Sequence, residues 1–265
     1  MMIAVDHVTT WRYATPVRGV VQSHRLRPAE HQGQRIVDWG VTVTDGLPGG
    51  AFRDGAGDWV QGWTVRGPVE AITVRVTGTV ETADTAGVLR GHRETVPPEA
   101  WLRETAATRA DAAIRALAEA GAADPLDLAH ALSAAVADAV AWTPGSTTAQ
   151  TTAAEALAAG KGVCQDHAHV LIAAARLRGR PARYVTGYLL TEDKAADAGH
   201  AWVEIHVPGL GWVGFDPTNR CCPDARYVRT ACGFDAPDAA PVRGMARGTQ
   251  AEALDVAVAV RAVQQ

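Results

Sequence analysis

Strand-like and helix-like patterning are segregated along this 265-residue chain, and that segregation limits what it can fold into. Residues 3 to about 82 alternate apolar with polar side chains. Val41 and Val43 are interleaved with Thr42 and Thr44, and Ile72, Val74 and Val76 with Thr73, Arg75 and Thr77. A period of two is that of a half-buried strand. Asp45-Gly46 and Gly55-Ala56-Gly57-Asp58 supply turns between such strands. This stretch predicts an antiparallel sheet or small sandwich. Residues 84–98, ending in Pro97-Pro98, read as a connector.

Helical signals follow. A first helix is expected from near Glu99 to Ala120, with Leu102, Ile114 and Leu117 among its apolar positions, stopping at Gly121. Asp124-Pro125 is an N-cap followed by proline at the first helical position, opening a helix that ends near Trp142. A shorter helix over Thr152–Ala159 leads to Gly160-Lys161-Gly162. The next begins near Cys164, runs through Leu171, Ile172 and Ala175 to Arg178, and is stopped by Gly179 and Pro181. Strands are expected over Arg183–Leu190, Ala201–Val207 and Gly211–Phe215, with a turn at Pro208-Gly209-Leu210. The tail alternates at Leu254, Val256, Val258 and Val260, as a closing strand would. The expected class is α+β: an antiparallel β domain over residues 1–90, then a second unit over residues 91–265.

Apolar residues make up 47% of the chain, enough for a sizeable core, and the formal charge of -4 argues against nucleic acid or an anionic membrane as the main partner. No apolar run approaches the roughly 18 to 20 residues of a membrane helix. The first residues, Met1-Met2-Ile3-Ala4-Val5-Asp6-His7, lack the basic and long apolar regions of a signal peptide, so the expected location is the cytoplasm. Adjacent Cys221 and Cys222 make a strained disulfide pair, and the absence of a C-x-x-C pair argues against a structural zinc site.

Cys164 stands apart from Cys221, Cys222 and Cys232 because it opens a helix, where unpaired N–H groups and the macrodipole favour an anion. Alone it would read as a buried core cysteine. Two later segments change that reading: His200-Ala201-Trp202-Val203-Glu204, and Gly211-Trp212-Val213-Gly214-Phe215-Asp216-Pro217-Thr218-Asn219. Nucleophile, base and orienting acid are thus available as Cys164, His200 and Asp216, the pattern of a thiol enzyme acting on amides. His200 and Asp216 lie on the two arms of a predicted hairpin. Pairing His206 with Trp212 sets Asp216 opposite Trp202 and makes it a diagonal neighbour of His200, about 7–8 Å away between backbones. A one-residue slip would put the two on opposite faces.

These two segments, with Gly162-Val163-Cys164-Gln165-Asp166 around the cysteine, resemble the core of the bacterial transglutaminase-like superfamily. Arg180-Pro181-Ala182-Arg183-Tyr184-Val185-Thr186-Gly187-Tyr188 is similar to the strand between them in that family. His7-Val8-Thr9-Thr10-Trp11-Arg12-Tyr13, with Pro16-Val17, resembles the β-rich region that precedes this core in many bacterial members. The resemblance implies a papain-like α+β core with a Cys164-His200-Asp216 triad. It also implies acyl-thioester chemistry on a peptide or protein amide without a metal or organic cofactor, and ATP-grasp-like partner proteins. His167 departs from the aromatic residue usual at its place, and Gly57-Asp58 replaces Gly-Asn.

Other residues carry weaker signals. Gln165 would line an oxyanion site with the Cys164 N–H or serve the surface, and Asp166 would bond backbone groups in the first helical turn. Trp202, Trp212 and Tyr188 would wall an acyl slot or simply pack the core. His167 and His169 are about 200° apart on a helix, which disfavours a shared metal. Arg176, Arg178, Arg180 and Arg183 read as a solvated helix end. The leading expectation is a cysteine peptidase or amidase. The alternatives are a protein-glutamine transglutaminase, which shares the first half-reaction, and a non-catalytic binding module.

Overall fold

The computed structural model describes residues 1–119, 121–191, 199–248 and 252–263. Two very long strands organise the N-terminal part, β1 (Met2–His24) and β4 (Trp59–Thr82), which run antiparallel with a register shift near Val17 and Gly19. Between them lie β2 (Gln34–Val43) and β3 (Gly46–Arg53), which pair successive lengths of β4. Val74, Val76, Val80 and Ile72 face the interior, while Thr73, Arg75 and Thr77 alternate with them, as the period of two requires.

The closing strand does not belong to the second unit. After β11 (Val242–Ala246), β12 (Glu252–Ala262) pairs β1 from Ile3↔Ala262 to Tyr13↔Glu252, and β11 pairs β1 further along. The chain therefore returns to the N-terminal sheet, making it six-stranded. Alternation identified the tail strand but could not say which sheet edge was vacant.

The intervening residues form the helical layer and a second sheet. The helices are α1 (Ala112–Ala118), α2 (Pro125–Ala139), α3 (Ala153–Ala159) and α4 (Cys164–Leu177). Asp124 caps α2 by accepting from the N–H groups of Leu126 and Asp127, and Thr152 with Glu155 forms a capping box on α3. Short strands β5 (Ala141–Trp142) and β6 (Lys161–Gly162) pair in parallel beside the start of α4. The second sheet is antiparallel, in the order β10-β7-β8-β9: β7 is Ala182–Leu189, β8 Gly199–Val207, β9 Gly211–Phe215 and β10 Tyr227–Gly233. Helix α4 packs on one face of it, where Leu171, Ile172 and Ala175 meet Ala201, Val203, Ile205 and Phe215.

Two expectations need correction here, and one strand was not foreseen. The single helix from Glu99 is a 3₁₀ turn over Pro98–Leu102, an irregular stretch and then α1; Ala120 lies outside the described residues. Thr105 and Thr108 exchange hydroxyl–backbone bonds that compete with helix, and the Arg176 guanidinium holds the Trp101 carbonyl and the Thr108 hydroxyl. The arginine-rich stretch is accordingly not a solvated end. Arg176 is half-buried, and Arg183 is fully buried, paired with Glu94 and with Glu204 at 2.7 Å. Strand β10 was missed because both its faces are buried, so it has no alternation to detect.

The second face of this sheet meets the N-terminal sheet through charge. Arg229 on β10 pairs with Glu204 at 2.9 Å and with Asp58, from the turn before β4, at 2.9 Å. Asp58 also accepts from the Cys232 N–H. Gly57 is fixed by the same turn: its φ is +85°, and a Cβ would lie 2.1 Å from the Arg93 carbonyl oxygen.

Candidate active site

Gly162, Asp166 and the β5–β6 pair place the thiol. The Asp166 carboxylate turns back to accept from the Val163 N–H at 2.7 Å and from the Thr147 hydroxyl at 2.7 Å. Gly162 leaves room for it, since a Cβ there would approach Asp166 to 2.6 Å. Cys164 is thereby held at the first helical position of α4, partly exposed, where the opening N–H groups lack intrahelical acceptors. Asp166 thus has the backbone-binding role its position suggested.

The hairpin register is the one expected. His206 pairs with Trp212 and Val203 with Phe215, so Asp216 follows directly on the arm opposite Trp202. His200 Nε2 lies 2.7 Å from Asp216 Oδ2, and Cys164 is near enough to the same imidazole to act on its protonation. With Nε2 committed to the carboxylate, Nδ1 is the atom left for sulfur. The three sequence-predicted residues are therefore brought to one place, with His200 bonded to Asp216 and Cys164 beside the imidazole.

Electrostatics favour charge separation there. Burial alone would push the His200 imidazolium down. The hydrogen bonds to Asp216 and Cys164, and the negative charge on both, outweigh it and raise His200 from 6.5 to about 10. Asp216 is fully buried. Burial pushes its carboxyl up, but the bonds from His200, Asn219 and Tyr227 and the imidazolium charge win, leaving it below the usual carboxylate range. The His200 ring stacks on Trp202, with centroids 6.2 Å apart and planes at 24°.

The remaining candidates fall elsewhere. The Gln165 side-chain amide donates to the Thr148 carbonyl at 3.2 Å, so it ties a loop to α4 and is not directed at an oxyanion position. Tyr188 lies between the two sheets, its hydroxyl 2.9 Å from His7 Nδ1 and its ring against Trp39, and does not wall an acyl slot. Trp202 backs the histidine. Trp212 stacks under Arg183, whose guanidinium carbon is 4.0 Å from the ring centre. His167 Nε2 donates to the Val140 carbonyl at 2.7 Å, tying the end of α2 to α4, while His169 Nε2 accepts from the Ala236 N–H at 3.0 Å. Their partners lie on different segments.

Two residues that the sequence did not single out complete the site. Tyr227 donates to Asp216 Oδ2 at 2.8 Å, and the Asn219 amide donates to the same oxygen at 2.7 Å. Asn219 stood three residues after the aspartate, close enough across a turn to reach its carboxylate, a usable signal. Tyr227 offered none, because it comes from the undetected β10.

This geometry and the family comparisons agree. Residues 113–217 match the transglutaminase-like superfamily, and residues 3–81 match the bacterial transglutaminase-like N-terminal region. The chain belongs to the transglutaminase-like superfamily. An uncharacterised Mycobacterium leprae protein, ML0607, is 28% identical over 283 residues, covering 97% of each chain. An uncharacterised Mycobacterium tuberculosis protein, Rv2569c, is 39% identical over 128 residues, 44% of this chain and 41% of the relative. Among solved structures, one described as a candidate cysteine protease from Cytophaga hutchinsonii superposes with a TM-score of 0.77 at 21% identity, covering 100% of this chain and 91% of that one. The fold is thus that of a transglutaminase-like α+β protein with a strand-rich N-terminal region.

Proposed function

We propose that this superfamily member is a cysteine peptidase or amidase that works through an acyl-thioester on Cys164. The observation that carries the reading is the bond from buried Asp216 to His200, with a partly exposed thiol at a helix start near enough to the same imidazole to act on its protonation. In this scheme the Cys164 thiolate attacks the amide carbonyl carbon. The tetrahedral oxyanion forms beside the first-turn N–H groups of α4, Cys164 N–H among them. His200, as imidazolium, protonates the departing amine as the C–N bond breaks. The neutral imidazole then takes a proton from water, whose oxygen attacks the thioester and releases the acid and the thiol. Asp216 fixes the tautomer and stabilises the imidazolium.

A peptide library incubated with the protein and read by mass spectrometry tests this. Shortened peptides identify a peptidase, and a mass gain of about 1 Da a deamidase, from replacement of NH₂ by OH. Cross-linked species would mean that an amine resolves the thioester, as in a transglutaminase. No conversion by the wild type, or conversion that survives in Cys164→Ala, overturns the reading.

A further inference from the structure

The Asp216 carboxylate is more heavily bonded than an orienting acid needs to be. One oxygen, Oδ2, lies within 2.8 Å of three groups: His200 Nε2, Asn219 Nδ2 and the Tyr227 hydroxyl. Oδ1 receives the Asn219 N–H at 3.3 Å. The three arrive from different elements. His200 is on β8, Asn219 is on the turn closed by backbone bonds between Asp216 and Cys221, and Tyr227 is on β10. Asn219 is exposed and covers the pair from solvent, whereas Tyr227 is buried and approaches from within.

We propose that Tyr227 is a positioning residue, whose hydroxyl locks the Asp216 carboxylate so that Oδ2 faces His200 and remains ionised there. A carboxylate can rotate about its Cβ–Cγ bond, so one bond to histidine does not by itself fix which oxygen is presented. A second donor from the opposite side does. The Tyr227 ring is buried against Trp202, with centroids 5.5 Å apart at 81°, so the hydroxyl has little freedom to leave. Its oxygen also lies 3.3 Å from Cys221 Sγ, and since the O–H is given to Asp216, that oxygen accepts from the thiol. The titratable groups facing Asp216 are thus His200, Tyr227 and Cys221, with Cys164 beyond the imidazole.

The position of Tyr227 is in turn set by the N-terminal part of the chain. Two residues along β10, Arg229 donates its N–H to the Gln34 side chain at 2.8 Å, accepts at its carbonyl from the Ala29 N–H at 2.9 Å, and pairs with Asp58. The N-terminal sheet therefore holds the strand that holds the acid. This gives the β-rich region a part in the site without any residue of its own reaching the thiol.

This role rests on His200 acting as the base proposed above, so the test separates the two. Tyr227→Phe keeps the ring and its packing and removes only the hydroxyl. The readout is the low-field NMR signal of the His200 Nε2 proton, followed on acidification, which needs no substrate. With one donor fewer, the carboxylate protonates more readily, and the signal should disappear at a higher pH than in the wild type. On a substrate found by the library screen, kcat/KM should fall about tenfold, with KM little changed, for loss of one hydrogen bond to a charged group. Tyr227→Phe placed on Asp216→Asn should add little further loss, because the two act as one unit. A signal lost at the same pH in Tyr227→Phe and wild type overturns the proposal whatever the kinetics do. Failure to find any substrate would sink the enzyme reading and leave the NMR comparison to decide this one.

Discussion

Replacing Asp216 by asparagine isolates what its charge does. All three side-chain donors converge on Oδ2, so the new amide must put its oxygen there, because the NH₂ group in that place would face three donors. The imidazole tautomer is therefore kept, and the variant loses charge rather than orientation. With Nε2 and Oδ2 2.7 Å apart, the charge centres of the pair are about 4 Å apart. At an effective dielectric of about 20 their attraction is about 4 kcal/mol, equivalent to roughly three pH units. His200, raised to about 10 in the wild type, should then titrate about two to three pH units lower in Asp216→Asn, the Cys164 contribution remaining. The assay is an NMR titration of the His200 ring proton, assigned by its absence in His200→Ala. At pH 7 His200 should still be substantially imidazolium, so kcat/KM falls only roughly tenfold there and further above pH 8. A His200 midpoint that stays within half a unit of wild type in Asp216→Asn would refute the electrostatic account of this site.

Cys164→Ala should abolish turnover and His200→Ala should nearly do so, with Asp216→Ala less severe; activity lost in Cys221→Ala but kept in Cys164→Ala would assign the nucleophile elsewhere. His200 is raised on folding, so its pairing stabilises the protein fully below pH 6.5 and ceases to do so as pH rises through about 10. The stability gap between wild type and His200→Ala, measured by denaturant titration, should therefore narrow from pH 6 to pH 10, and a gap that widens would reverse the assignment. Asp58→Ala leaves Arg229 buried without that partner and should cost about 3–5 kcal/mol, whereas Asp255→Ala, at the exposed pair with Arg12, should cost less than about 1 kcal/mol; equal effects would show that the buried network carries no special weight.

Legibility in the sequence followed the physics of each element. Strands with one wet face, such as the stretch Ile72–Val76, announced themselves by alternation, and β10, dry on both faces, did not. The Asp124 cap marked the start of α2 correctly because its bonds are local. The long first helix failed because Arg176, 68 residues beyond Thr108, holds that segment open, a contact that no local propensity encodes. Cys164, His200 and Asp216 were legible because each sits at an element end with a distinct context, and the hairpin register could be computed from the turn. Their supports, Tyr227 and the Asp58–Arg229–Glu204 network, depend on which strands become neighbours, and that was hidden.

That division has a consequence for how the site is built. Cys164, His200 and Asp216 come from α4, β8 and the residue after β9, all within residues 164–216. One group that restrains Asp216, the Tyr227 hydroxyl, comes from β10, and β10 is bonded to residues 29, 34 and 58 at the other end of the chain. Arg229, Glu204 and Arg183 form a buried row across β10, β8 and β7 that ends on Glu94 in the connector. Charges in such a row have little value if the parts they join can drift, because each unpaired member would remain buried at a cost of several kcal/mol. The row therefore enforces a single docking of the N-terminal sheet against the second sheet. Since β10 is fixed by that docking, so is the hydroxyl that holds Asp216, and the orientation of His200 follows from it.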